Sequence, residues 1–101
     1  MTTEESLNLI CDGLLGEQSI LVKLRNKEGL DEEKYTSVLE AIAVLKSAYK
    51  DQEYIPKKLA LAFLDVSNYF IFSDEWYPKE EQEKIEDAGH QLVKAVDELF
   101  A

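Results

Sequence analysis

The sequence predicts an all-α fold, an antiparallel four-helix bundle, and three observations carry that expectation. Apolar residues recur at helical spacing along the whole 101-residue chain. Pro56, Pro78 and Gly29 fall where helix starts and stops belong. No stretch shows the strict polar–apolar alternation of a half-buried strand. The length suits one domain, residues 1–101. A hydrophobic fraction of 46% suffices for a packed core rather than a disordered coil.

The helices are expected at about 3–27, 31–50, 56–72 and 78–100. In the first, Thr2 and Glu5 have capping-box spacing, and Leu7, Ile10, Cys11, Leu14, Leu15, Leu21 and Leu24 recur on one side. Gly13 and Gly16 weaken this helix by up to ~1 kcal/mol each unless they allow close packing. Gly29 reads as its stop, after Arg25 and Lys27, which complement the negative helix end. The second helix takes Asp31 as N-cap and buries Tyr35, Val38, Leu39, Ile42, Leu45 and Tyr49. The third starts at Pro56 and is apolar nearly all round; its least apolar line is Lys58, Leu61, Asp65, Asn68 and Phe72. Pro78 opens the fourth, with Glu80, Glu81 and Glu83 near its positive end. Its buried stripe is Ile85, Ala88, Leu92, Val96 and Leu99, and Gly89 is an unforced flaw within it. Short connections favour antiparallel neighbours.

Twenty-one acidic against eleven basic residues give a formal net charge of −10. That argues against nucleic-acid binding and against direct attachment to anionic lipid. The N-terminus Met-Thr-Thr-Glu-Glu has neither a basic nor an apolar leader segment, and Leu59 to Phe72 is too short and too interrupted to span a bilayer. The expected location is therefore the cytoplasm, which a single cysteine, Cys11, also suits.

Little in the sequence supports catalysis. His90, Glu86 and Asp87 share a helix face, but a carboxylate-bridged metal bundle needs a second histidine that the chain lacks. Cys11 has no neighbouring base and reads as a core residue. Asp65 is the carboxylate with the most apolar local setting and is expected on its helix's polar line. No phosphate loop or nucleophile elbow occurs. The expectation is a protein that is not an enzyme, with no cofactor and no metal.

The informative cluster is aromatic. Tyr69, Phe70, Phe72, Trp76 and Tyr77 crowd the connection before the fourth helix, with Asp74 and Glu75 beside Trp76. Trp and Tyr are enriched at binding hot spots, and they also make good lids at a bundle end. The expected partner-binding residues are Asp65, Asn68, Tyr69, Phe72, Asp74, Glu75, Trp76 and Tyr77.

The chain resembles the enterocin A immunity family, cytoplasmic proteins that protect bacteria from pediocin-like bacteriocins. The resemblance rests on Tyr35-Thr-Ser-Val-Leu-Glu40, on Ile55-Pro56 opening a helix that continues through Leu64 to Asn68-Tyr69-Phe70, and on Glu80-Glu81-Gln82 with Ile85 a turn later. It implies a left-turning antiparallel bundle and no catalysis. It further implies a protein partner, the bacteriocin-bound mannose phosphotransferase permease, with membrane association only through that receptor. Discrimination between toxins would lie mainly in the C-terminal half. Several family members continue beyond the fourth helix, and many are less acidic than this chain. The competing expectation is an acidic antitoxin or adaptor that binds a basic protein directly. A monomer or weak dimer is expected in either case.

Overall fold

The computed structural model describes residues 1–64, 66, 70 and 76–101. The fold is all-helical: α1 spans Thr3–Leu15, α2 Ile20–Arg25, α3 Glu32–Ala48, α4 Lys57–Phe63 and α5 Lys79–Phe100, with no strand among the described residues. The part of the third expected helix that lies beyond Phe63 falls mostly outside the described residues.

The expected helix over 3–27 is two helices. Thr2 caps α1 as its spacing predicts, accepting from the Glu5 N–H at 3.1 Å and donating to the Glu5 carboxylate. Gly16 then turns extended (ψ 168°) and ends α1. Ser19, buried, starts α2 by accepting from the Val22 N–H at 3.1 Å. Leucine periodicity runs through on both sides of this break and conceals it. The break also leaves Leu15, expected on the buried stripe, half exposed.

The stop after α2 differs as well. Lys27, not Gly29, takes the left-handed position first (φ 62°), and Gly29 follows at φ 84°. The Glu28 N–H reaches back to the Lys23 carbonyl at 2.9 Å and the Lys27 N–H to the Leu24 carbonyl at 3.2 Å, so the helix end closes its own free carbonyls. Asp31 then caps α3 through the Lys34 N–H, and its other oxygen holds the Lys23 ammonium at 2.7 Å.

Ile10, Leu14, Ile20, Leu24, Val38, Ile42, Leu45, Leu59, Ile85 and Leu92 form the centre of the core, each at most 2% exposed. Burial of each such side chain contributes about 1.5–3 kcal/mol. α1 packs against α2, α3 and α4, and α3 packs against α5.

Side-chain register gives the directions. Gly13 of α1 lies against Val38 of α3, and beyond the end of α1 the Gln18 carbonyl accepts from the Lys34 ammonium. Glu32 pairs with Lys84, Tyr35 with Ala88, and Lys46 with Glu98, so α3 and α5 run the same way. Short connections impose opposed neighbours only on helices they join directly, and α3 and α5 are not so joined.

Two glycines are contact points. A Cβ on Gly13 would stand 2.6 Å from Val38 Cγ2. A Cβ on Gly89 would stand 2.5 Å from Phe70 Cβ, so this glycine is not a flaw but the slot that admits a ring only 1% exposed. Alanine at either position gains up to ~1 kcal/mol of helix propensity and loses more to overpacking. Gly89→Ala and Gly13→Ala should each lower the unfolding free energy by about 1–2 kcal/mol in urea titrations.

Asp31 carries a pH dependence. Its carboxyl is held below the ordinary carboxylate range, first by the Lys23 hydrogen bond and then by the Lys34 N–H. A lowered folded-state pKa stabilises the fold above the unfolded value and loses that contribution as pH falls through the folded one. Asp31→Ala should therefore cost about 1 kcal/mol at pH 7, by loss of the cap. Chemical denaturation below that lowered pKa should show the two proteins converging.

Candidate functional site

Of the residues expected to contact a partner, Asp65, Asn68, Tyr69, Phe72, Asp74 and Glu75 lie outside the described residues. Trp76 and Tyr77 are described, and both hold the end of α2. The Tyr77 hydroxyl donates to the Leu24 carbonyl at 2.7 Å and accepts from the Gly29 N–H at 3.2 Å. The Trp76 indole N–H lies 3.4 Å from the same carbonyl. The Lys27 ammonium sits 4.5 Å from the Trp76 ring centroid, a cation–π contact. Tyr77 is buried, so its hydroxyl serves the fold and presents almost nothing outward. Trp76 is half-buried and keeps part of its ring at the surface.

The acidic start of α5 forms one wall of a cleft. Spacings of three and four residues set Glu80, Glu83 and Asp87 along one face, opposite Glu32 at the start of α3. The cleft, about 510 Å³, is completed by Leu30, Thr36, Lys84, Ala88, Gln91 and Tyr35. Lys84 reaches Glu32 at 2.7 Å, and that hydrogen bond pushes its pKa up. The Tyr35 hydroxyl donates to the Ala88 carbonyl at 2.8 Å, and burial raises its pKa, so the phenol keeps its proton. A second depression, lined by Lys79, Gln82, Glu83 and Glu86, lies on the neighbouring side of α5. These carboxylates suit lysine and arginine side chains of a partner.

His90 is exposed on α5, and among the described residues no three His, Cys, Asp or Glu side chains are placed to share a metal ion. Cys11 is half-buried; burial raises its thiol pKa, against a smaller lowering by Lys58, and keeps it protonated at neutral pH. No helix of the described residues is long and apolar enough to cross a membrane.

Sequence reasoning missed a groove of about 330 Å³ between the end of α1, α2 and α4, lined by leucines but also by Ser19 and Arg25. Leu15, Leu61 and Leu64 form its exposed rim above Leu14, Leu21 and Ala62. The polar-line reading of the third helix did place Leu61 outward. The exposure of Leu15 and Leu64 follows from the α1–α2 break and from the end of α4, which periodicity does not reveal.

Comparison with known proteins gives no match: no protein-family model, no curated protein and no solved structure matches the chain.

Leu61 is 61% and Leu64 75% exposed. Leu61→Lys and Leu64→Lys should each change the unfolding free energy by about 0.5 kcal/mol or less. Together they should shorten retention on a phenyl matrix, which measures how much of the exposed apolar surface this groove supplies.

Proposed function

We propose that the chain is a non-enzymatic bacteriocin immunity protein that acts in the cytoplasm against a pediocin-like bacteriocin. It does so by protein–protein contact at the toxin's membrane receptor, a mannose phosphotransferase permease. The observation that carries this reading is the order of the motif residues on an all-helical chain. Tyr35 to Glu40 lie on α3, Ile55-Pro56 precede α4, and Glu80-Glu81-Gln82 with Ile85 lie in the first turns of α5. Tyr35, Val38, Gln82 and Ile85 are buried, so the motif marks helix contacts that a common fold would need. The proposal includes an antiparallel four-helix bundle in which α1 and α2 together make the first rod. Support for it comes from α3 running with α5, as next-but-one rods of an alternating bundle would.

Trp76 and the acidic cleft then form the C-terminal contact surface. The Gly89 slot for Phe70 belongs to the same half and holds that surface to α5.

A second reading, an acidic antitoxin or adaptor that binds a basic protein directly, draws on the Glu32–Glu80–Glu83–Asp87 cleft. Salt separates the two, because a partner held by these exposed carboxylates is released as ionic strength rises.

Expression of the chain in a sensitive strain should raise the inhibitory concentration of one or more peptides in a pediocin-like panel. Unchanged sensitivity to the whole panel would count against the immunity reading. A soluble basic protein that co-purifies at low salt and is lost at high salt would favour the second.

A further inference from the structure

We infer that Trp76 and Tyr77 form a latch that ties the order of the turn after α2 to the aromatic segment leading into α5. Within the turn, backbone bonds close the helix end, the Glu28 N–H on the Lys23 carbonyl and the Lys27 N–H on the Leu24 carbonyl, but few buried side chains anchor it. Arg25, Asn26, Lys27 and Glu28 are all exposed, so it buries no large side chain beyond Leu24. Its crown, Lys27, is a non-glycine residue in the left-handed region, which costs stability. α2 contributes only six residues, too few to persist unaided.

A further closure comes from about fifty residues away in sequence. One hydroxyl, that of Tyr77, bridges both feet: it donates to the Leu24 carbonyl and accepts from the Gly29 N–H. The ring of Trp76 lies under the crown, 4.5 Å from the Lys27 ammonium. A displacement of the 76–77 segment by the width of a hydrogen bond therefore breaks both feet together and uncovers the crown. A ligand that takes the Trp76 ring competes with the Lys27 ammonium and removes one of the contacts that hold the turn. By linkage, a freed turn leaves Trp76 easier to take.

The test uses the full chain. Trp76 is its only tryptophan, so acrylamide quenching of fluorescence reads that ring alone, and amide hydrogen exchange by NMR reads the turn. Tyr77→Phe should speed exchange of the Gly29 amide about ten-fold or more while the Ile42 and Leu92 amides keep their rates. Lys27→Gly retains a residue at ease in the left-handed region and removes the ammonium; acrylamide quenching of Trp76 should rise about two-fold as the ring loses its cover. The latch is overturned if Gly29 exchange is unchanged in Tyr77→Phe, or rises only in proportion to Ile42 and Leu92. It is equally overturned if Lys27→Gly leaves quenching of Trp76 as it was, a result that stands even where Tyr77→Phe does not fold.

Discussion

Helices of six and seven residues do not persist in water on their own, yet α2 and α4 are that short. They exist because each inserts side chains into a core that longer helices frame. Ile20 and Leu24 of α2 and Leu59 of α4 are fully buried. α1 is the helix that touches both, and α1 is in turn set against α3 at the Gly13–Val38 contact. At that contact the missing methyl group of the glycine sets how closely α1 approaches α3.

Much of this was legible in residue patterns, and what was not has identifiable causes. The caps Thr2 and Asp31 follow from local chemistry that acts within four residues, and both form the bonds their spacing predicts. Most of the buried stripes of α3 and α5 follow from periodicity, although Leu39, Tyr49 and Val96, expected within them, are only partly buried. The α1–α2 break was concealed because Gly16 to Ser19 shifts the chain without interrupting the recurrence of leucine. Gly89 read as a defect because its partner, Phe70, lies far away in sequence and on another part of the fold. The same limit applies to Tyr77. Its aromatic ring was visible as a lid or a hot spot, but nothing local to it indicates that its hydroxyl spans Leu24 and Gly29.

The surface divides by chemistry. An acidic cleft lies where α3 and α5 begin, a partly exposed indole sits beside Lys27, and a leucine-rimmed groove runs between α1, α2 and α4. Recognition chemistry of this kind, charge in one place and apolar area in another, suits the binding role proposed for the protein. Tyr35 belongs to the cleft by position but not by availability, since its hydroxyl already joins α3 to α5.

The shared direction of α3 and α5 has an electrostatic consequence for that cleft. Two aligned helices bring their positive ends to the same place, each equivalent to roughly half a unit charge. Glu32 and Glu33 stand in the first turn of one, and Glu80 and Glu81 in the first turn of the other. These four carboxylates are partly spent on their own helix ends, which repel one another without them. Glu83 and Asp87 lie beyond the first turn of α5, and their field is less offset. The formal charge of the cleft therefore overstates the attraction that an approaching cation meets at its rim, where Lys84 already occupies Glu32.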